Sequence, residues 1–342
     1  MRRANGSEHC EPCLNADAPR PTRHSPKGYA IIRLQCPQQG GGPRPNPTPF
    51  PERLVPARPF LKWVGGKGQL LPELTSRMPS RFRRYHEPFL GGGALFFHLA
   101  NQGRIPYGAV LSDVNPELIE CYQAVRDHVE ELITLLRDLR PRFGDKAFFY
   151  EIRDWDRQPE FRQRPLVERA ARTIFINRTC YNGLYRLNNK GLFNAPFGHY
   201  KRALIVDPPH MREASRALQS VELKIGDFST VLAQTKSNDF VYFDPPYLPL
   251  SATASFTAYT HQGFAEAEHH RLAEVFKLLV QRKCYVMLSN SYTELARTLY
   301  LGQPIHESIL ASRKINCDGR KRGEVEELIV CSYDQRRTSV RS

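Results

Sequence analysis

The sequence predicts an α/β fold, because short buried strands that end at polar residues alternate with amphipathic helices. Phe240–Phe243 is a continuous apolar run that stops at the Asp-Pro-Pro-Tyr sequence 244–247, where two prolines prevent further ladder hydrogen bonds. Residues 85–97 have the pattern of a strand, a glycine turn and a helix, and apolar residues keep helical spacing from Pro116 to about Leu139. Ligands bind at the carboxyl ends of strands in open α/β sheets, so we expect the functional site beside residue 244.

The net charge of +14 over 342 residues favours a polyanionic partner. Nine lysines and arginines lie between Phe161 and Arg202, where Glu168 is the one acid. No apolar run reaches the roughly 18 residues that a membrane span requires, so we expect no membrane partner and a cytoplasmic location.

The two ends of the chain differ from the rest in composition. The first 59 residues hold 12 of the 27 prolines, and such a segment buries too little apolar surface to offset the entropy of ordering. We therefore predict a disordered extension over residues 1–57 and a frayed tail over 336–342. Cys10 and Cys13 form one C-x-x-C pair without a second pair at zinc spacing, so we predict reduced thiols and no metal site.

The first glycine-rich turn lies at Gly65-Gly66, where Trp63 and Lys67 would flank a ligand. The phosphate-loop pattern G-x-x-x-x-G-K-[ST] is absent, so the segment is not predicted to be a phosphate loop.

The second glycine turn, Gly91–Gly93, would let a ligand approach backbone N–H groups at the start of a helix. The next predicted strand, Ala109–Ser112, ends at Asp113, and Asp113 follows Gly91 by 22 residues. That spacing suits a carboxylate that binds the ribose hydroxyls of a cofactor. NAD, FAD and S-adenosylmethionine share this geometry, although the absence of G-x-G-x-x-G weakens the dinucleotide interpretation.

A block of predicted helices follows the Asn115 N-cap: one helix from Pro116 to about Leu139, more helix through Trp155, and another from Leu166 to about Asn177. The block ends in a loop over residues 177–198 that is rich in Asn, Arg, Tyr and Gly. Asn and Arg side chains read base edges and aromatic side chains stack or wedge, so the loop, which could contain a hairpin, predicts a nucleic-acid reader.

The remainder is predicted to complete the α/β core. The predicted elements are a strand Leu223–Ile225 with Asp227 facing the cofactor, a closing loop at 251–259, a helix from Phe264 to about Gln281, a strand Tyr285–Leu288 that ends at Ser289-Asn290, a basic run at 313–322, and an edge strand Glu327–Cys331.

The Asp-Pro-Pro-Tyr sequence suits the activation of an exocyclic amine as a nucleophile. Acceptors on both amine hydrogens localise the nitrogen lone pair and stabilise the positive charge that develops on nitrogen. Asp244 and the carbonyl of Pro245 would be those acceptors, and Tyr247 would stack on a base that has left the duplex. A pyrimidine C5 methyltransferase would need a cysteine after proline at a strand end, and the one such cysteine, Cys13, lies in the proline-rich extension.

Five segments, in this order along the chain, resemble the Dam-type (class alpha, D12 class) DNA adenine-N6 methyltransferases of bacteria and phages, and the resemblance covers about Phe60 to Tyr333. The segments are 62–67, 87–93, 181–186, 244–247 and 250–259. The resemblance implies a Rossmann-like S-adenosylmethionine-dependent methyltransferase core with an inserted, mainly helical target-recognition domain. Residues 58–115 and 207–335 would form the catalytic domain, and residues 116–206 would form the domain that binds DNA.

The resemblance also implies a reaction: methyl transfer from S-adenosyl-L-methionine to adenine N6 of GATC in double-stranded DNA. The implied catalytic residues are Asp244, Pro245 and Tyr247. The implied cofactor-binding residues are Trp63, Lys67, Glu87, Phe89, Gly91, Gly93, Asp113, Asp227 and Asp244. The implied DNA-binding residues are Lys62, Tyr181, Asn182, Leu184, Arg186, Asn188 and Pro196, with Tyr181 as the intercalating residue. Tyr185 stands where the family has a smaller residue.

Two alternatives stay open at this point. One is a sequence-specific DNA-binding protein that keeps the fold without activity, although the intact Asp244–Tyr247 segment argues against it. The other is a restriction-modification methyltransferase with another target, including the N4 amine of cytosine. We expect the methyltransferase to be a bacterial monomer that associates with the nucleoid through DNA.

Overall fold

The computed structural model describes residues 55–248, 264–312 and 324–334. The predictions for the extension up to residue 54, the closing loop at 251–259, the basic run at 313–322 and the tail at 336–342 lie outside these ranges. Side chains of residues 305–312 and 324–325 are likewise not described.

The described residues form one mixed sheet of seven strands. The strands are β1 (Tyr85–Glu87), β2 (Ala109–Asp113), β3 (Val221–Ile225), β4 (Phe240–Phe243), β5 (Tyr285–Ser291), β6 (Ile305–Ser312) and β7 (Glu324–Cys331). Their order across the sheet is β3-β2-β1-β4-β5-β7-β6. The first five in this order pair in parallel, whereas β7 pairs antiparallel with both β5 and β6. The strand order changes direction between β1 and β4, which is where a crevice opens at the carboxyl ends of parallel strands.

Ten α-helices occur in the same ranges. They are α1 (Leu71–Ser76), α2 (Ala94–Asn101), α3 (Pro116–Asp127), α4 (Val129–Leu139), α5 (Lys146–Arg153), α6 (Leu166–Thr179), α7 (Pro208–Leu218), α8 (Val231–Gln234), α9 (Glu266–Gln281) and α10 (Glu294–Leu299). The predicted N-cap of α3 is confirmed, since the Asn115 side chain accepts hydrogen bonds from the N–H groups of Glu117 and Leu118.

Strand β4 is buried on both faces, as its continuous apolar sequence predicts. Phe240 and Tyr242 belong to the hydrophobic cluster that includes α2, α3 and α7, whereas Val241 and Phe243 belong to the cluster that includes α9. Because side chains alternate along a strand, four residues join the two layers and fix the position of Asp244 at the sheet edge.

The helical block is attached to the sheet through α3. This helix packs against β2 and β3 on one side and against α6 on another, while α4 packs against α6 and α7. Arg172 of α6 is fully buried and binds Glu117 of α3 at 3.3 Å and Asp156 at 2.8 Å. A buried charge needs such partners, because an unpaired one would be strongly destabilising.

Three sequence predictions are wrong: two concern the bounds of an element, and one concerns the position of a strand in the sheet. The helix predicted from Pro116 to Leu139 breaks at His128, whose φ of −138° and ψ of 36° are not helical. The apolar spacing continues across the break, so periodicity alone does not reveal that the chain forms two separate helices, α3 and α4, at this point. Ser289 and Asn290 lie within β5 because they pair with β7, and β7 is an interior strand because β6 covers its other side.

Candidate active site

Asp244 follows the last residue of β4 and lies at the centre of a polar cluster. Its Oδ1 is 2.9 Å from the Lys67 ammonium and accepts a hydrogen bond from the Ser289 hydroxyl at 3.0 Å. The Ser289 hydroxyl also lies 2.9 Å from the hydroxyl of Tyr242. Since Ser289 has one proton and donates it to Asp244, Tyr242 donates to Ser289. Burial raises the pKa of Asp244, and the Lys67 and Ser289 contacts oppose that rise.

The turn after Asp244 is held at its far end. The Tyr247 hydroxyl donates to Oε2 of Glu327 at 2.7 Å, and the Leu248 N–H donates to Oδ1 of Asn290 at 3.1 Å. The Lys67 ammonium lies 4.3 Å from the centre of the Tyr247 ring, a cation–π contact. Pro245 is buried between these anchored residues. The three predicted catalytic residues therefore belong to one turn that protein contacts anchor on both sides.

Glu87 ends β1, the strand next to β4, and is buried. The Tyr85 hydroxyl donates to its Oε2 at 2.9 Å. Burial raises the pKa of Glu87 to about 8, and the nearby charge of Asp244 acts in the same direction. This carboxyl group is therefore mostly protonated at pH 7.

The glycine turn lies between Asp113 and Trp63. The Gly91 N–H donates to Oδ2 of Asp113 at 3.1 Å, and the Asn115 N–H donates to Oδ1 at 2.9 Å. Gly91 has a φ of +47°, and a Cβ there would lie only 2.9 Å from Cδ1 of Trp63. Burial raises the pKa of Asp113 although these N–H groups oppose it. The structure thus brings together Trp63, Gly91 and Asp113, which the sequence places in three separate segments.

Apolar side chains border the same edge of the sheet. Val114, directly after β2, is 65% exposed, and Ile225, at the end of β3, is 55% exposed. Phe89 stacks on Phe228 at 5.4 Å between ring centres. Exposed apolar groups at a strand edge are typical of a ligand site.

Phe228 and Ser289 are candidate site residues that sequence reasoning missed. Phe228 could have been found from its position after a predicted strand end. The contact of Ser289 with Asp244 depends on the pairing of β5 with β4, which no local pattern reveals.

Asp227 is engaged by protein groups. Its carboxylate binds the Arg271 guanidinium at 3.0 and 2.6 Å and accepts from the Ser229 N–H at 3.0 Å, which caps a short 3₁₀ turn. Burial opposes ionisation, yet Arg271 and Ser229 hold the pKa of Asp227 below its usual range. Both of its carboxylate oxygens therefore have structural partners.

The predicted DNA-binding loop is a hairpin that lies against Lys62. Two antiparallel bridges, Cys180–Phe197 and Leu187–Phe193, define it. The Asn177 side chain accepts from the Lys62 N–H at 2.9 Å and donates to the carbonyls of Lys62 and Gly183 at 2.8 and 3.0 Å. Lys62 and the start of the hairpin are thus fixed side by side, although 115 positions separate Lys62 from Asn177.

The predicted reader side chains differ in how free they are. Tyr181 is 48% exposed. The Asn188 oxygen accepts from the N–H groups of Lys190 and Leu192 and so closes the hairpin turn. The Arg186 Nε donates to the Asn194 oxygen at 2.7 Å. Of the remaining predicted residues, Asn182 and Pro196 are exposed and Leu184 is half-buried.

Part of the basic charge between residues 161 and 202 is neutralised within the protein. Arg169 pairs with Glu120 at 3.0 Å, and Arg172 pairs with Asp156 and Glu117. Lys190, Lys201 and Arg202 are exposed near the hairpin. The charge that can face a polyanion is therefore smaller than the sequence count suggests.

The described residues were also compared with the requirements of metal sites and membrane spans. Within those ranges no cluster of three or more His, Cys, Asp or Glu side chains is placed to hold a metal ion. No helix there is long and apolar enough to cross a membrane. The four cysteines that the structure describes, at positions 121, 180, 284 and 331, are buried free thiols.

Comparison with known proteins decides the family. A family model described as "D12 class N6 adenine-specific DNA methyltransferase" matches residues 63–313. The chain belongs to this family. The resemblance drawn from the sequence motifs is therefore confirmed, and so is the Rossmann-like α/β fold. The methyltransferase uses S-adenosylmethionine as its methyl donor and DNA as its substrate.

Three curated relatives match the methyltransferase over most of their length. The type II methyltransferase M1.LlaDCHI of Lactococcus lactis is 44% identical over 278 residues, which cover 81% of this chain and 95% of the relative. The type II methyltransferase M.MjaIII of Methanocaldococcus jannaschii is 40% identical, with coverages of 81% and 99%. The DNA adenine methylase of Escherichia coli is 34% identical, with coverages of 80% and 94%.

Proposed function

We propose that this methyltransferase modifies adenine N6 in GATC within duplex DNA, and that the adenine leaves the helix to reach Asp244 and Tyr247. The observation that carries the proposal is the Asp244 carboxylate held by Lys67 and Ser289 beside the Tyr247 ring. An amine between Asp244 and the Pro245 carbonyl would have an acceptor for each hydrogen. Such fixed acceptors stabilise the positive charge that develops on nitrogen and need no reorganisation during reaction.

The anchoring of the turn supports this role. Ser289 and Tyr242 fix the orientation of the Asp244 carboxylate, and Glu327 fixes the Tyr247 ring. A base must be unstacked before its amine can reach a site at the edge of a sheet. The Tyr247 face would then offer the flipped adenine a replacement for its lost stacking partners.

The cofactor-binding residues are proposed from the same edge. Bound S-adenosylmethionine supplies an electrophilic methyl group. The residues fit its adenosyl part, because Asp113 offers a carboxylate, Gly91 lets Trp63 lie directly against the glycine turn, and Val114 and Ile225 offer exposed apolar surface. The other proposed cofactor-binding residues are Lys67, Glu87, Phe89, Gly93, Asp227 and Asp244.

The hairpin is the proposed DNA reader. Exposed Tyr181 would wedge into the duplex, while Arg186 and Lys62 would reach bases. The other proposed contacts are Asn182, Leu184, Asn188 and Pro196. Residues 116–206 would form the recognition domain, and residues 58–115 and 207–335 would form the catalytic domain. Helix α3 of the recognition domain packs against α6 of the same domain and against β2 and β3 of the catalytic domain. We further propose that the methyltransferase acts as a monomer and that its binding to DNA associates it with the nucleoid.

Three duplexes test the target. Tritiated methyl transfer is measured with a GATC duplex, a duplex with these four bases reordered, and a GATC duplex that already carries N6-methyladenine on both strands. The proposal expects label in the first duplex alone. Equal label in the reordered duplex would refute the GATC target, and label in the premethylated duplex would indicate another amine, such as cytosine N4.

Restriction-linked modification is a second candidate role, because two relatives, at 44% and 40% identity, are named type II methyltransferases. Digestion of cellular DNA by a nuclease blocked by GATC methylation, with and without the gene, tests modification in the cell. A neighbouring gene whose product cleaves the same unmodified sequence would favour this role over a solitary methylase.

A further inference from the structure

Tyr185 belongs by sequence to the hairpin but by contact to the cofactor cleft. It lies between Leu184 and Arg186, which are proposed to contact DNA. Its ring stacks on Trp63 with 5.2 Å between ring centres and 30° between planes. Trp63 in turn lies against the backbone of Gly91. The indole thus contacts both the glycine turn and Tyr185.

The hydroxyl of Tyr185 reaches a buried carboxylate of α3. It donates to Oε2 of Glu117 at 3.2 Å. The Glu117 N–H donates to Oδ1 of Asn115 at 3.0 Å, and the Asn115 N–H donates to Oδ1 of Asp113 at 2.9 Å. Three hydrogen bonds in series therefore join Tyr185 to the proposed ribose-binding carboxylate.

The far strand of the hairpin is attached to the same network. The Phe193 N–H donates to Oδ2 of Asp156 at 2.8 Å, and Arg172 links Asp156 to Glu117. The Phe193 ring also contacts the Tyr185 ring edge-on at 5.6 Å. A displacement of the hairpin would therefore disturb both the Trp63 stack and the Glu117 hydrogen bond.

We propose that Tyr185 is a positioning residue that couples DNA binding at the hairpin to cofactor binding between Trp63 and Asp113. The inference rests on the proposed function, in which the hairpin binds the duplex. DNA that orders the hairpin would order the Tyr185–Trp63 stack in advance, so the cofactor binds more tightly to the DNA complex. By linkage, the cofactor tightens duplex binding by the same factor, for which couplings of about 5- to 150-fold are typical.

Calorimetry with S-adenosylhomocysteine tests the coupling without catalysis. The dissociation constant is measured with the full-length protein alone and with saturating GATC duplex, and the coupling is their ratio. We expect a ratio of at least about 5 for the wild type. Tyr185→Leu removes the stack and the hydroxyl and should bring the ratio near 1. The matched control is Tyr107→Leu, since Tyr107 is 69% exposed before β2 and should keep the wild-type ratio.

A second readout follows the indole itself. The chain has two tryptophans, so Trp155→Phe leaves Trp63 as the sole reporter. We expect GATC duplex to change the Trp63 emission in this background, and we expect the change to disappear when Tyr185→Leu is added. If Tyr185→Leu does not fold, Tyr185→Phe replaces it. That variant keeps the ring, loses the Glu117 hydrogen bond, and should lower the ratio at least twofold.

The outcomes separate the two proposals. A Tyr185 variant that folds and keeps both the wild-type ratio and the Trp63 response overturns the coupling. A wild-type ratio near 1 overturns it as well. Equal binding of GATC and reordered duplexes by the wild type refutes the proposed target alone, because the ratio with and without duplex still measures the role of Tyr185.

Discussion

The Lys67 ammonium lies 2.9 Å from Oδ1 of Asp244 and 4.3 Å from the centre of the Tyr247 ring. Lys67 comes from the first glycine turn, whereas the other two residues come from the turn after β4. One buried cation thus holds both the carboxylate and the aromatic ring of the proposed amine pocket. Its attraction also favours the ionised form of Asp244, which burial disfavours.

Lys67→Gln should therefore move the acid limb of the pH–rate profile upward. Burial raises the pKa of Asp244 and Lys67 lowers it, so loss of the cation raises that pKa further. The ionised carboxylate is the stronger acceptor, and activity falls when it is protonated. We expect the limb to shift by about one unit or more, which is roughly 1.4 kcal/mol. Single-turnover rates at saturating cofactor, measured from pH 5 to 9, check this. An unshifted limb would show that Lys67 does not set the ionisation of Asp244.

Ser289→Ala should lower kcat with little change in KM. The variant removes the hydrogen bond that orients the Asp244 carboxylate and leaves the Tyr242 hydroxyl without its acceptor. A hydrogen bond to a charged group contributes about 1.5–3 kcal/mol, so we expect a loss of about 10- to 100-fold. Ser291→Ala is the matched control, because the buried Ser291 hydroxyl has no hydrogen-bond partner in the described structure. Equal losses in both variants would indicate a general effect on β5.

Gly91→Ala should weaken cofactor binding. Gly91 has a φ of +47°, and an added Cβ would meet Trp63 at 2.9 Å, so either the turn or the indole must move. We expect at least a tenfold rise in the dissociation constant of S-adenosylhomocysteine, measured by calorimetry. Gly144→Ala is the control, since a Cβ there has no atom within 4 Å. Unchanged binding by the Gly91 variant would place the cofactor away from this turn.

Arg186→Ala should relax discrimination at one base pair of the target. A side chain that reads a base edge contributes about 1–3 kcal/mol of discrimination. Lys190→Ala is the comparison, because Lys190 is exposed at the hairpin turn and would contact phosphate. That change should weaken binding to all duplexes alike and reduce the salt dependence. Competition binding against duplexes with each single-base substitution separates the two effects. A uniform loss for Arg186→Ala would assign it to phosphate.

Local sequence patterns predicted the elements that are determined by residues close to one another in the sequence. The strand Phe240–Phe243, the glycine turn at 91–93 and the burial of α9 follow from period and turn chemistry, and the structure has them. Local sequence patterns did not reveal features that depend on contacts between segments distant in sequence. The break at His128 and the pairing of Asp227 with Arg271 come from tertiary contacts, to which no spacing along the chain corresponds.

Glu87→Gln should stabilise the cofactor-free protein as the pH rises. Burial raises the pKa of Glu87 from 4.5 to about 8, so the folded protein keeps a proton that the unfolded chain loses above pH 4.5. The stability of the wild type therefore falls between about pH 4.5 and 8, whereas glutamine carries no such penalty and still accepts from the Tyr85 hydroxyl. The melting temperature of the variant, relative to the wild type, should rise by several degrees between pH 5 and 9 and level off above pH 8. Tyr85→Phe should extend the fall in stability to higher pH, because it removes a hydrogen bond that lowers the pKa of Glu87. A difference in melting temperature that stays flat from pH 5 to 9 would mean that Glu87 is ionised in the folded protein, with a cation or solvent beside it.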